Sequence, residues 1–416
     1  MKAKSPWHWV PTLYFVEGLP YVIVMTVSVI MFQRLGISNT ENALYTSLLY
    51  LPWVLKPFWS PLVDAFRTKR IWMHAMQFII SMSLLGISLA VRSPHALQYC
   101  LIALWVMAIA SASQDIAIDG FYMLALDKQQ QSYFVGIRST AYRLAMLFGQ
   151  GPLIIFAGYC EKHAWSVAQA WSWTFCTLAI LFVALYWYHR FAIPRTPADA
   201  PRNDSDWRAV MKTMGETLRT FFAKEEIKIS LLFLLVFRLG EAQLVKIASP
   251  FLLDAPAQGG LGLSTSDVGF VYGTAGVIAL VVGGILGGVL VSRHGLKRWL
   301  WPMVIAMNVP NVVYVLLAFL QLNNLPLITA CVVLEQFGYG FGFTAYMLYM
   351  IQIAEGEFKT AHYALCTGFM ALGMMLPGMA SGWLQTQLGY QGFFIWVMIC
   401  TIPSFLIVGK MRITGK

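Results

Sequence analysis

The stretch Ser111–Asp119, SASQDIAID, holds the residues best placed to do chemistry. It lies inside an apolar run from about Leu101 to Leu126, long enough to cross a bilayer. Asp115 and Asp119 stand four residues apart, which on a helix sets both carboxylates on one face, a turn from each other. Ser111 continues that face and Gln114 flanks it. An ionised aspartate at the centre of a membrane helix costs roughly 2.5–3.5 kcal/mol or more. Such a pair serves proton exchange, holds a polar ligand, or belongs to a structural cluster with a buried base. Arg143, beside Tyr142 in RSTAYRLAMLFGQG, is the nearest basic candidate to neutralise either acid. A permanent pairing makes the cluster structural, and an exchangeable one makes it part of a working cycle.

Other ionisable residues fall inside apolar runs: Glu17 in YFVEGLPYVIV, Lys56, then Arg238, Glu241 and Lys246, and Glu335. With Asp115, Asp119 and Arg143 they number nine, and seven of them lie on the first, fourth, seventh and tenth runs. That is the periodicity expected if each half consists of two three-helix repeats whose first helices line a shared cavity. Gly18 and Pro20 follow Glu17 and allow the first run to bend. In the tenth run, EQFGYGFGFTAYMLYM sets Tyr339, Tyr346 and Tyr349 beside glycines. These suit a pocket that stacks on sugar rings and bonds hydroxyls, although aromatics are also common at membrane boundaries.

These residues are positioned by a chain of 416 residues, 58% hydrophobic and 12% charged. Soluble domains carry about 25% charged residues, so the composition is that of an integral membrane protein. Twelve apolar runs can be placed, at about 9–33, 43–63, 71–91, 98–125, 133–158, 165–189, 227–252, 267–291, 299–320, 325–351, 361–383 and 390–409. Of the 29 Lys and Arg, 22 fall on the side that holds the N-terminus, and three, Arg34, Arg92 and Lys162, on the other. By the positive-inside rule both termini and the central loop are expected to be cytoplasmic. The net charge of +10 is then a topology signal, and no nucleic-acid partner is expected. The first run carries Glu17 and two prolines, unlike a cleavable signal segment. The six cysteines are scattered and read as small hydrophobes.

The long polar stretch 191–226 divides the chain into halves, 1–190 and 227–416. Within it, Trp207 to Phe222 repeats apolar residues at helical spacing and reads as an amphipathic helix on the inner membrane surface. The halves echo each other: Leu35-Gly36-Ile37-Ser38 is matched by Leu261-Gly262-Leu263-Ser264. The segment from Asp64 through Arg67, Lys69 and Arg70 is matched by Ser292 through Arg293, Lys297 and Arg298. An acid at a helix end before a basic cluster suits an ion-paired gating hinge, and equally simple topology marking. Six-plus-six repetition is the signature of a two-bundle transporter. The glycines of the eighth run (Gly269, Gly273, Gly276, Gly283-Gly284, Gly287-Gly288) allow close helix contact, for static packing or for sliding.

SASQDIAID followed by AYRLAML, with KPFWSPLVD upstream and GLP in the first run, resembles the muropeptide permease (AmpG-type) branch of the major facilitator superfamily, to which the acetyl-CoA transporters are related. The resemblance covers the first half in order and the second half mainly in layout. It implies an all-α integral membrane fold of 12 transmembrane helices in two six-helix bundles, with inverted repeats within each half and alternating access between the bundles. For the branch it implies proton-driven import of anhydro-muropeptides through the bacterial inner membrane. Carried over by position, Ser111, Gln114, Asp115, Asp119 and Arg143 become the functional cluster. Two features depart from the pattern: after Asp119 the chain reads GFYMLAL where further charges are expected, and Ser292 replaces the acid of the second loop motif.

The expectation is therefore a secondary transporter, with Asp115, Asp119 and Arg143 coupling protons. Glu17, Ser111, Gln114, Tyr142, Arg238, Glu241, Glu335 and Tyr339 would bind substrate. The gate would use Asp64, Arg67, Lys69, Arg70, Arg293, Lys297 and Arg298. The energy source is the proton gradient, with no cofactor or metal; the partners are a small molecule and the lipid bilayer; a monomer is expected. Other oligosaccharides or an acyl-CoA-like anion are alternative substrates. A membrane-embedded enzyme or a ligand sensor is the alternative from another class, but no HExxH, metal-spaced Cys/His cluster or Walker motif supports an enzyme.

Overall fold

The structure, a computed structural model, describes residues 5–164, 166–199, 207–356 and 358–411. The helices in chain order are α1 (Val10–Val22), α2 (Ser28–Arg34), α3 (Asn39–Leu48), α4 (Leu51–Ala65), α5 (Lys69–Ala90) and α6 (Ala96–Ala125). Next come α7 (Lys128–Gln150), α8 (Pro152–His163), α9 (Val167–Ala192), α10 (Trp207–Phe222), α11 (Ile227–Val236) and α12 (Leu239–Leu253). The last are α13 (Thr265–Val268), α14 (Val277–His294), α15 (Leu296–Asn308), α16 (Val312–Leu320), α17 (Leu325–Ala354) and α18 (Lys359–Val408). No strand occurs among the described residues.

Nine helical stretches among the described residues are apolar and long enough to cross a membrane. They account for the twelve expected runs once their breaks are followed. The run Ala361–Val408 holds two spans, turned at Gly389, whose φ of 66° and ψ of 173° are open to glycine alone. The second and seventh expected spans are each split into two shorter helices, α3 with α4 and α11 with α12, and so fall below the length of a single crossing helix.

The chain forms two compact units, residues 1–35 with 55–210, and residues 36–54 with 211–416. They depart from the expected 1–190 and 227–416 in that 36–54 joins the C-terminal unit and the division falls inside α10. In the N-terminal unit α1 packs against α7 and α6. The crossing with α7 is close because a Cβ on Gly18 would lie 3.1 Å from Tyr142 and Ala145, and one on Gly149 would lie 2.7 Å from Val22. Past Pro20 the helix widens into a π-helical turn, Ile23–Val27, since proline leaves a carbonyl of the preceding turn without its donor. Trp9, Leu13, Phe121 and Phe134 form the apolar core beneath.

Asp199 anchors the start of α5, its Oδ1 accepting from the Lys69 amide at 2.7 Å and its Oδ2 from the Arg70 amide at 3.0 Å. These are N–H groups that a helix start leaves without partners. Nothing in the sequence marks this anchor, because it comes from the far end of the unit.

In the C-terminal unit α3 lies along α18, where Gly382 leaves room for the Asn39 carbonyl. Asn39 donates to Gln385 Oε1 at 2.8 Å and to the Tyr390 hydroxyl at 3.1 Å, and Tyr390 donates to Asp254 at 2.5 Å. The break between α11 and α12 at Phe237-Arg238 frees backbone carbonyls inside the membrane. They are satisfied by hydroxyls, Tyr346 to Leu234 at 2.7 Å and Ser404 to Phe237 at 2.8 Å. The C-terminal end of α10 docks here too: Phe221 is fully buried in the core and stacks on Phe369. The amphipathic helix thus covers protein with at least that part of its apolar face.

Candidate functional site

In the N-terminal unit α6 carries Asp115 and Asp119 on one face, as their spacing requires. Each has a basic partner. Lys56 Nζ on α4 donates to Asp115 Oδ2 at 3.3 Å, with Asp115 14% exposed and Lys56 30%. Arg138 on α7 donates to Asp119 Oδ1 at 3.1 Å. The same oxygen accepts from the Tyr14 hydroxyl of α1 at 2.9 Å. The Arg138 guanidinium also lies over the rings of Tyr14 and Tyr122, at 5.2 and 5.0 Å, a favourable placement for a cation beside a π face.

Arg143 enters neither ion pair among the described residues, which corrects its expected place as the partner of Asp115 or Asp119. The reason is the helix face: Arg143 lies five residues beyond Arg138 on α7, which at 3.6 residues per turn sets it about 140° around the helix from Arg138. Lys56, Arg138 and Tyr14 are the functional candidates missed as partners. The available signal was weak: Tyr14 lies one turn before Glu17, and Arg138 stands near the start of its apolar run, where basic residues commonly mark topology.

Glu17 on α1 is buried at 8% exposure, and its Oε2 makes no hydrogen bond within the protein. Asp119, Asp115, Lys56 and Arg138 all lie within its electrostatic reach. The group therefore contains three carboxyls and two bases. Two carboxyls are ion-paired with those bases, and the third, Glu17, is in excess. Along the same face of α6, Ser111 is 1% exposed and Gln114 fully buried, yet the Ser111 hydroxyl and both amide atoms of Gln114 have no hydrogen-bond partner in the protein. Buried polar groups are nearly always bonded, so these are available to a ligand. Tyr142 stands beside Gly18 where α1 and α7 cross.

In the C-terminal unit Arg238 occupies the break between α11 and α12. It donates to the Tyr339 hydroxyl and lies over the rings of Tyr339 and Phe343, at 5.3 and 4.9 Å. Glu241, one turn on, is buried within reach of Arg238 and keeps Oε2 unbonded. Glu335 is buried on α17. The four expected substrate residues of this half thus divide into Arg238 with Tyr339 and Glu241, and Glu335 apart from the base.

The expected gate residues are less engaged. Lys69 is buried and donates from Nζ to the Val63 carbonyl at 3.0 Å, and Arg70 donates to the Arg190 carbonyl. Arg67 is exposed with φ of 64°. The Asp64 side chain lies outside the described residues. Arg293, Lys297 and Arg298 are exposed where α14 meets α15, in no ion pair among the described residues.

Residues 12–354 match the sequence profile of the Major Facilitator Superfamily. The chain is 26% identical to a putative AmpG 4 transporter of Rickettsia conorii, over 95% of this chain and 94% of that one. It is also 26% identical to the anhydromuropeptide permease of Escherichia coli K12, over 97% of this chain and 79% of that one. Among solved structures, the nucleoside transporter NupG superposes with a TM-score of 0.73 at 13% identity, covering 99% of this chain and 100% of that one. A D-xylose–proton symporter superposes with 0.73 at 11%, covering 98% and 97%. At that identity the likeness is one of fold. The helical composition, the broken helices that carry buried charge and the match over most of the sequence make this chain a member of the Major Facilitator Superfamily.

Proposed function

We propose that the protein is a proton-coupled importer of anhydro-muropeptides or closely related N-acetylated amino sugars, working by alternating access in a bacterial inner membrane. The substrate class is supported by the relationship to the Escherichia coli permease, over 97% of this chain and 79% of that one, and by the SASQDIAID stretch. The orientation, with both termini cytoplasmic, is supported by the Lys and Arg distribution. It acts as a monomer and not as an enzyme, and the proton gradient drives it without a cofactor.

The observation that carries proton coupling is the excess carboxyl. With Asp115 held by Lys56 and Asp119 by Arg138, an ionised Glu17 adds an uncompensated charge at membrane depth, which is costly until it is neutralised. A proton neutralises it, so the proton resides on Glu17 while the two ion pairs stand. Substrate held at Ser111, Gln114 and Tyr142 crosses together with that proton. A shift of Lys56 or Arg138 toward Glu17 on the inward-facing side then releases the proton to the cytoplasm. The pairs are then exchangeable parts of the cycle. Within the C-terminal unit, Arg238, Tyr339 and Glu241 offer polar and charged groups to a substrate.

The test uses purified protein in proteoliposomes loaded with a pH-sensitive dye, to which N-acetylglucosaminyl-anhydro-muropeptide is added outside. Saturable internal acidification that tracks substrate entry is the expected result. Substrate entry without acidification removes the proton. Neither signal, with a control symporter active, removes the substrate class.

A further inference from the structure

Glu335 stands on α17 at membrane depth, 1% exposed. Its Oε2 accepts from the Gln336 amide at 2.9 Å, and its Oε1 makes no hydrogen bond within the protein. One turn along the same face, Gly338 lies against the Ala306 carbonyl and Pro310, so this face looks onto the segment that carries Asn311 and Tyr314. Both are buried; both amide atoms of Asn311 lack a partner in the protein, and the Tyr314 hydroxyl faces the Glu335 carboxyl. Two segments therefore bring polar groups with spare hydrogen-bonding capacity to one buried locus, a condition native interiors rarely tolerate without a ligand.

The titratable groups that face Glu335 are Glu241 from α12, Tyr272 from the π-helical segment Gly269–Gly276, and Tyr314 from α16. No base is among them. Arg238 faces Glu241 and the Tyr339 and Phe343 rings. Lys246, the other buried base of α12, donates to Thr46 on α3 at 3.1 Å and lies over Tyr50. Two carboxyls, Glu241 and Glu335, thus share one cation, Arg238. The N-terminal unit shows the same excess of one carboxyl.

We propose that Glu335 is a second proton site, in the C-terminal unit, so that two protons enter with each substrate. This rests on the proton-coupled reading above. The step is an O–H bond made and broken: H+ adds to a Glu335 carboxylate oxygen from water on one side and leaves to water on the other. Gln336 and Tyr314 are its polar neighbours, and Glu241 is the carboxyl that faces it. Glu241 stays beside Arg238, and Glu335, the carboxyl with no base facing it, takes up its proton with the substrate and gives it up after the substrate departs. Substrate binding and protonation in this unit favour each other reciprocally.

The experiment measures stoichiometry in proteoliposomes clamped at zero membrane potential with potassium and valinomycin, with N-acetylglucosaminyl-anhydro-muropeptide on both sides. Net flux vanishes where the substrate gradient balances the proton gradient. With two protons, an about tenfold proton gradient balances an about hundredfold substrate gradient. Glu335→Gln is expected to lower that balance to about tenfold, and Glu335→Asp to keep it. A wild type balanced at about tenfold overturns the proposal even if Glu335→Gln cannot be purified. So does a Glu335→Gln variant that balances where wild type does, or a balance that shifts with a sodium gradient at fixed pH. A wild type indifferent to the proton gradient overturns the proton-coupled reading itself.

Discussion

The two ion pairs of the N-terminal unit differ in burial, and that difference decides what each substitution does. Asp115 is 14% exposed and Lys56 30%, whereas Asp119 is 46% exposed. Lys56→Met leaves a carboxylate at depth without its cation and is expected to destabilise the protein by about 3 kcal/mol, the low end of what breaking a buried pair costs. Lys56→Met with Asp115→Asn removes both charges and should recover most of that loss. Thermal unfolding in detergent checks both, and a double variant less stable than the single contradicts the pairing. Asp119→Asn removes a half-exposed pair with Arg138, for a cost of about 1 kcal/mol or less. That variant should fold as wild type does and lose coupled uptake in proteoliposomes. The acids themselves were legible in the sequence, since a carboxylate in an apolar run is conspicuous. Their partners were not, because which faces of different helices meet is fixed by packing. Hence Arg143 yields to Arg138 and Lys56.

At the scale of the elements, the glycine runs of α14 separate into two kinds. A Cβ at Gly283 would sit 2.2 Å from the Phe337 carbonyl oxygen of α17, while one at Gly288 meets nothing within 4 Å. Gly340 on α17 answers from the other side, where a Cβ would lie 2.0 Å from the Leu280 carbonyl. Backbone cannot move aside as a side-chain tip can, so Gly283→Ala is expected to cost about 1–3 kcal/mol or more through overpacking. Gly288→Ala should lie within about 0.5 kcal/mol of wild type. Comparing their unfolding midpoints decides it, and equal midpoints contradict the packing. The sequence announced the glycines but not which of them face α17. The seventh run likewise read as one unbroken helix. Its break at Phe237-Arg238 depends on hydroxyls from Tyr346 and Ser404, which lie more than a hundred residues away.

Across the whole molecule, composition and apolar periodicity sufficed for an all-helical membrane protein. The allegiance of residues 36–54 to the C-terminal unit was not legible, because it rests on tertiary bonds from Asn39 to Gln385 and Tyr390. In the proposed cycle surplus carboxyls carry protons and ion pairs report the substrate. Uphill accumulation should then collapse when a protonophore removes the gradient, while exchange of internal for external substrate continues. The loss of exchange as well would place the proton in substrate binding alone.

The most direct measurement compares Glu17→Gln with wild type in dye-loaded proteoliposomes, following substrate-induced acidification together with counterflow of labelled muropeptide. The account predicts that the variant retains counterflow, because a neutral amide stands in for the protonated acid, and loses the acidification that Glu17 contributes. A Glu17→Gln variant that acidifies the interior as fully as wild type, for each substrate taken up, contradicts it.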